Sequence, residues 1–318
     1  VGAVLVTGGA GFIGSHIVDL LIDRDFSVIV LDNESTGNRQ YVNIKADFVH
    51  GDVQDNNVLE TIFAKGVDFV IHIAGQASIS LSFFDPTEDL SVNTIGTINI
   101  IQKCIEHRVK HLLFASSMTI YGTPTVVPTP EDAIPNPVSY YAVSKYAAER
   151  YVHISGERKN LDFDFNVTSF RMFNVYGPRQ SLTNSYQGVL AIFLGNVLRN
   201  EPINIHSDGE QSRDFVHVSD VARAWVDAIG NPQSYGQVFN IGTGNPTSVN
   251  QLCDNVLRAF DYSKDNYEVV YHPAQAGDIR TSSADIEKIE SALGWSPQYD
   301  FEHGMQETIR WARQNYKQ

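Results

Sequence analysis

The chain has 318 residues, 42% hydrophobic and 19% charged, with a formal net charge of -14. That length suits one large α/β unit or two intimate domains of an ordinary soluble globular protein, and the acidic balance excludes a nucleic-acid backbone as partner, because that would need a basic face. The 2 cysteines, Cys104 and Cys253, lie in apolar-periodic stretches and read as buried free thiols of a reducing compartment; with no signal peptide or membrane span before the first glycines, a cytoplasmic protein is expected.

Residues 3–7 form a short apolar run that ends in glycines. Ile13, Ile17, Leu20 and Leu21 follow at helical spacing over 12–24, and 27–31 is a second apolar strand closed by Asp32. Strand, glycine turn, helix and strand make one βαβ unit. The alternation continues with strands near 48–49, 69–73, 112–115 and 165–169, and helices near 58–64, 86–107, 138–156 and 188–199. Such alternation predicts an α/β fold of the Rossmann type, a doubly wound parallel sheet. After about residue 173 the pattern loosens: short strands near 203–205, 215–217 and 238–240 mix with helices near 219–229, 250–260, 285–292 and 301–316. A smaller α/β substrate-binding lobe is therefore expected, with the chain crossing between the two. Residues 1–172 and 215–242 would form the dinucleotide-binding domain, and residues 173–214 and 243–318 the lobe.

The run from Thr7 to Gly14 carries glycines at Gly8, Gly11 and Gly14. The first allows a tight turn, the second lets the backbone approach a pyrophosphate, and the third permits close packing of helix on strand. The pyrophosphate then sits over the helix N-terminus. Asp32 ends the second strand, where a carboxylate can accept hydrogen bonds from an adenosine ribose and would repel a 2′-phosphate; NAD is favoured over NADP. Asp52, after a further strand, is placed to reach the adenine, although Gly-Asp is also a common turn. Tyr141 and Lys145 are four residues apart, so a helix puts phenol and ammonium on one face. A phenol, with a reference pKa of about 10, is a poor base at neutral pH; a nearby cation favours its ionised form. Tyr140 lies about 100° around the helix and cannot share that face. Alone, a Tyr-x-x-x-Lys spacing arises by chance in many helices. The histidines, His72 and His217 among them, show no metal-ligand spacing, so no metal is expected.

Taken in order, the 7–14 loop, Asp32, Gly51-Asp52-Val53, His72 to Gly75, Asn93, the run from Ser116 to Gly122, Tyr141 with Lys145, the run from Arg171 to Arg179 and that from Arg213 to His217 resemble the extended short-chain dehydrogenase/reductase family. The resemblance covers essentially the whole chain and is greatest to nucleotide-sugar epimerases of the UDP-glucose 4-epimerase type. It implies catalytic roles for Ser117, Tyr141 and Lys145. It implies NAD contacts from Gly8, Gly11, Phe12, Ile13, Gly14, Asp32, Asn33, Asp52, Val53, Ala74, Gly75, Gln76 and Asn93, with Tyr141 and Lys145. It implies nucleotide-sugar contacts from Ser117, Asn174, Val189, Arg213, Gln275, Asp278 and Ser282, with Tyr186 to Val189 covering the nucleotide.

The family's sugar dehydratases carry an acidic pair directly after the catalytic hydroxyl residue, and decarboxylating relatives keep its Glu. Here those positions are Met118 and Thr119, which cannot protonate a leaving hydroxyl or take a carbon-bound proton. What remains is reversible oxidation at sugar C4, with NAD regenerated in each cycle and so tightly bound. Gln275 stands where the family usually has an Arg for the diphosphate. Small Ser282 stands where a large residue would exclude an N-acetyl group, so UDP-N-acetylhexosamines are expected beside the plain hexoses. Arg213 is expected to grip the diphosphate; the alternative is a salt bridge with Asp214 or Asp220. The helices near 86–107 and 138–156 resemble the pair that forms a homodimer interface in this family, unless their second apolar faces pack internally. A net-redox 4-keto-sugar reductase and a non-catalytic NAD sensor stay open as alternatives.

Overall fold

The computed structural model describes residues 2–183, 188–274 and 279–316. The first half alternates as expected. It runs β1 (Ala3–Thr7), α1 (Phe12–Asp23), β2 (Ser27–Asp32), β3 (Asp47–His50), α2 (Asn56–Phe63), β4 (Phe69–His72), α3 (Ile79–Phe84), α4 (Pro86–Leu90), α5 (Gly96–Glu106), β5 (His111–Ser117), α6 (Tyr140–Gly156) and β6 (Asn166–Met172). Side-chain caps set several helix starts: Asp55 accepts from the Asn57 and Val58 amides, and Ser139 from that of Ala142.

The second half runs β7 (Asn174–Tyr176), α7 (Val189–Arg199), β8 (Ile203–His206), β9 (Ser212–His217), α8 (Val218–Ala228), β10 (Gln237–Ile241), β11 (Pro246–Ser248), α9 (Val249–Ala259), β12 (Val269–His272), α10 (Glu287–Leu293) and α11 (Phe301–Asn315).

Seven strands form one sheet in the order β10-β6-β5-β4-β1-β2-β3, and every neighbouring pair is parallel. The order reverses between β1 and β4. This is the doubly wound sheet the alternation predicts, and its crevice lies at the carboxyl ends of those two strands. Strands buried on both faces need helices on each. One face packs α1 and α8 around Ile17, Leu21, Phe170 and Trp225; the other packs α2, α5 and α6 around Leu59, Ile100, Cys104 and Val152. A separate core under α7, α9 and α11 supports a three-stranded sheet, β11-β9-β7, and the pair β12-β8. β9 spans the expected boundary at 214/215 and lies in the smaller sheet. Cys104 and Cys253 are free and buried. Among the described residues no helix is long and apolar enough to cross a membrane.

One expected helix is modified. The stretch predicted over 86–107 is α4, a π-helical segment at Ser91–Ile95, and α5. Side chains take part in this wider turn: Thr97 Oγ1 donates to the Asn93 carbonyl at 2.6 Å, and the Asn93 amide reaches back to Asp89 at 3.1 Å. Such insertions recur at functional sites.

Candidate active site

The β1–β4 crevice opens into a cavity of about 690 Å³. That is in the upper half of the roughly 300–1,000 Å³ typical of organic-ligand sites and far beyond what a lone ion needs. Its walls bring together residues that are remote in sequence: Gly8, Gly11, Phe12, Ile13, Gly14, Asp32, Asn33, Asp52, Val53, Ala74, Gly75, Gln76, Ser117, Tyr141, Lys145, Asn174 and Val189. Most of the expected contacts therefore share one enclosure.

The glycine turn is held by close approach. Gly8 has φ +72°, and a Cβ there would stand 2.8 Å from the Ala74 nitrogen; a Cβ at Gly14 would stand 2.1 Å from the Gly8 carbonyl oxygen. Only glycine lets α1 point its N-terminus into the cavity at this distance. Asp32 is buried at the lip. Its carboxylate accepts from the Ala10 amide at 2.9 Å and the Glu34 amide at 2.8 Å. Burial raises its pKa, opposed by those two amide bonds. Each oxygen keeps a lone pair for a further donor, and Glu34 beside it adds to the field a 2′-phosphate would meet. Asp52 accepts from Asn33 Nδ2 at 2.7 Å and from the Gln54 amide at 2.8 Å, which fixes this wall. Ser116 Oγ and Asn93 Oδ1 are buried without partners. Ser116 lines the cavity, and Asn93 stands behind Gly75, its Oδ1 2.7 Å from where a Cβ on Gly75 would be. A glycine cradle at a helix N-terminus, a carboxylate with spare acceptors and two orphaned polar atoms fit a dinucleotide with a carboxamide and two riboses.

Ser117 ends β5, and its Oγ accepts from Thr119 Oγ1 at 2.9 Å and from the Thr119 amide at 3.2 Å. With both bonds accepted, its own proton is directed outward, and Tyr141 is its partner. Burial raises the Tyr141 pKa, the Ser117 bond lowers it, and the Asp89 charge raises it. Lys145 is 5% exposed, with its ammonium 4.5 Å from the Phe114 ring centroid. Burial lowers its pKa to about 8, against the raising charges of Asp89 and Glu149. Tyr140 behaves as its angle predicts: it is 51% exposed and packs on Phe83 at 5.3 Å, away from the cavity.

Sequence reasoning read Thr119 only as a missing acid, whereas it orients Ser117. Asp89, buried and bonded to Ser144 of α6, was not among the expected site residues. The Asp89 role has no local signature, since it depends on helices packed together, whereas the bonds from Thr119 to Ser117 are a local strand-end cap two residues long.

On the far side, Arg213 Nη1 donates to the carbonyls of Ser212, at 2.9 Å, and Ile279, at 2.6 Å, and the Ser282 amide donates to the same Ser212 carbonyl at 3.2 Å. Arg213 and Ser282 are thus neighbours at the start of β9, just outside the cavity wall. The two acids considered for Arg213 have other partners: Asp214 holds Thr243, Gly244 and Ala284, and Asp220 holds Arg223, Gln298 and Tyr299. Tyr186, Gln275 and Asp278 lie outside the described residues. Among the described residues, the one cluster with metal-ligand proximity is Glu60, Glu106 and His107 on the surface, where Lys103 already bridges the two carboxylates at 2.7 and 2.6 Å.

The model of the NAD dependent epimerase/dehydratase family matches residues 4–242. A crystal structure of a UDP-glucose 4-epimerase from Thermotoga maritima with UDP-glucose is 40% identical, covers 98% of this chain and 99% of its own, and superposes with a TM-score of 0.92. The UDP-glucose 4-epimerase of Thermus thermophilus in complex with NAD is 35% identical over 99% of this chain and 100% of its own, with a TM-score of 0.89. A UDP-N-acetylglucosamine 4-epimerase from Methanobrevibacter ruminantium, in complex with UDP-N-acetylmuramic acid, is 32% identical over 99% of each chain, with a TM-score of 0.91.

Proposed function

The chain belongs to the NAD dependent epimerase/dehydratase family, and from that premise we propose that it interconverts the C4 epimers of a UDP-hexose through a transient 4-keto sugar. The observation that carries the reading is the trio of Ser117, Tyr141 and Lys145 lining the same cavity as the glycine turn, with Met118 and Thr119 following Ser117 where elimination would need acids.

NAD, when bound, supplies the two-electron acceptor that takes hydride from sugar C4 and returns it to the opposite face. Gly8, Gly11 and Gly14 with the start of α1 would hold its pyrophosphate, Asp32 a ribose, and Lys145 the other ribose. Tyr141 takes the proton of the C4 hydroxyl at its phenolate oxygen and gives it back in the second half of the cycle. Ser117, oriented by Thr119, donates to the same sugar oxygen and passes the proton on. Because the cavity encloses all three groups, the keto sugar can turn over without leaving, and the cofactor stays tightly bound.

Asn174 and Val189, which line the cavity, and Arg213 beside Ser282 support a nucleotide-sugar site on the smaller lobe. Ser282, small and next to Arg213, supports acceptance of UDP-N-acetylhexosamines as well. The apolar side chains left outside by α4 and α6 support a homodimer, and the buried thiols of Cys104 and Cys253 a cytoplasmic setting. Purified protein given UDP-galactose and no added cofactor should produce UDP-glucose; strict dependence on added NADH would instead establish the net-redox reading.

A further inference from the structure

Asp89, on α4, is 1% exposed, and among the described residues it forms no salt bridge. Its carboxylate is met by neutral donors alone. Gln76 Nε2 donates to Oδ1 at 2.8 Å and Asn93 Nδ2 at 3.1 Å, and Ser144 Oγ donates to Oδ2 at 2.6 Å. Each donor belongs to a different part of the site. Gln76 is on the loop after β4 that walls the cavity, and it is clamped there by Ser78. Asn93 is in the π-helical segment and also donates to the Gln76 carbonyl at 3.0 Å and to Ser144 Oγ at 3.2 Å. Ser144 is on α6, next to Lys145.

The second observation is electrostatic. Lys145 is buried and likewise forms no salt bridge among the described residues. Two unpaired buried charges of opposite sign in one region each offset part of the other's desolvation. The groups facing Lys145 are few: Asp89 from α4, Tyr141 and Glu149 from its own helix, His72 from β4 and the Phe114 ring from β5. Glu149 is already committed to Arg171 through bonds of 2.6 and 3.0 Å. His72 is held neutral: Thr97 Oγ1 gives its proton to the Asn93 carbonyl and so accepts from Nε2, leaving Nδ1 to accept from Thr7 at 2.7 Å. Asp89 is therefore the one fixed negative charge near Lys145 that no cation neutralises.

We propose that Asp89 is a positioning residue of the active site, whose buried carboxylate ties the Gln76 loop and Asn93 to the catalytic helix and keeps the Lys145 ammonium charged. The consequence for catalysis rests on the epimerase reading above; the charge state of Lys145 does not. Removing the negative charge lowers the proton affinity of Lys145 and of Tyr141 alike, since Asp89 raises both. Both limbs of a bell-shaped rate profile then move the same way.

The test is Asp89→Asn, with Ser144→Ala as a variant that loses one bond and keeps the charge. For Asp89→Asn, kcat should fall at least tenfold, KM for UDP-galactose should change less than about twofold, and the whole pH profile should slide at least half a pH unit lower; Ser144→Ala should leave the profile in place. An Asp89→Asn profile that coincides with wild type overturns the proposal, because loss of packing alone would scale the rate without moving its pH limbs. A direct readout needs no turnover. The 13Cε resonance of Lys145, assigned with Lys145→Met in lysine-labelled protein, should titrate near pH 8 in wild type and at least half a pH unit lower in Asp89→Asn; equal midpoints in the two proteins, or a wild-type Lys145 neutral at pH 7, overturn the proposal. If the protein showed no epimerase activity, the reading of function would fall while the Lys145 titration still decided the role of Asp89.

Discussion

Tyr141 and Lys145 were legible in the sequence because a helix fixes the angle between positions four apart, whatever it packs against. The same geometry disqualified Tyr140, and the exposed Tyr140 ring on Phe83 follows from it. The glycine turn was legible for a similar reason: a positive φ at Gly8 and the contact between Gly8 and Gly14 are demands of a local turn. What tunes these groups was not legible. Thr119 becomes the donor that orients Ser117 only after β5 ends in a tight turn, and Asp89 becomes a partner of Ser144 only after two helices pack. The tyrosine pair offers a test in which one ring controls for the other. Under the proposed mechanism Tyr141→Phe removes the oxygen that transfers the proton and should lower kcat by about 10²–10⁴-fold, the usual worth of a positioned acid–base group. Tyr140→Phe keeps the exposed ring and should leave the rate within twofold. Steady-state rates of UDP-galactose conversion check both, and an active Tyr141→Phe enzyme would end the catalytic assignment.

At the scale of elements, long periodic segments were legible, as were short strands such as β3 and β8, while some other short ones were not. The parallel sheet and its helices followed from hydrophobic alternation, to within a few residues at each end. β7, β11, β12 and α3 were missed because three to six residues carry little periodicity, and strand pairing is decided by partners far along the chain. The π-helical segment was missed because it depends on Asn93 and Thr97 bonding to Asp89 and the backbone. The outer face of α6 shows what a sequence pattern leaves undecided. Val143, Tyr151 and Ile154 are 48, 50 and 53% exposed and fall on one stripe, beside exposed Leu90 and Ile95. About half of each of these side chains is exposed, and contiguous exposed apolar side chains of this kind are a common feature of interaction surfaces. If a second copy covers it, the wild-type protein should sediment as a dimer. Tyr151→Glu with Ile154→Glu, which would place two carboxylates in that seam, should yield monomers. A wild-type protein that sediments as a monomer would remove the dimer from the proposed function.

The whole molecule carries a pH signature that no single site would reveal. His72, His111 and His217 are almost wholly buried, and burial lowers their pKa values from 6.5 to about 3, about 3 and about 4. Two of them are locked as neutral tautomers. His111 donates through Nε2 to Thr168, whose hydroxyl is committed to the Ser234 carbonyl at 2.6 Å, and accepts from the Gly230 amide at Nδ1; His72 is held by Thr7 and Thr97 in the same way. As pH falls below 6.5 the unfolded chain takes up these protons and the folded protein does not. The stability tied to neutral histidine is therefore complete above the unfolded pKa and is lost progressively between pH 6.5 and about 4. Each histidine contributes a slope of about 1.4 kcal/mol per pH unit over that range. Asp32 and Glu131 act in the opposite sense, because burial raises their pKa values and the folded state protonates them first. Burial also lowers the pKa of His16 to about 4 and lowers that of His153, so two carboxyls against five histidines leave a net loss on acidification. Urea midpoints measured from pH 7.5 down to 5 should fall steadily below pH 6.5, and His111→Gln should flatten the histidine part of the slope by roughly a fifth, the share of one histidine in five under the same linkage. A midpoint that stays level to pH 5 would mean that these histidines take up protons in the folded protein, and that the polar contacts fixing β4 and β5 behind the cavity tolerate a charged ring.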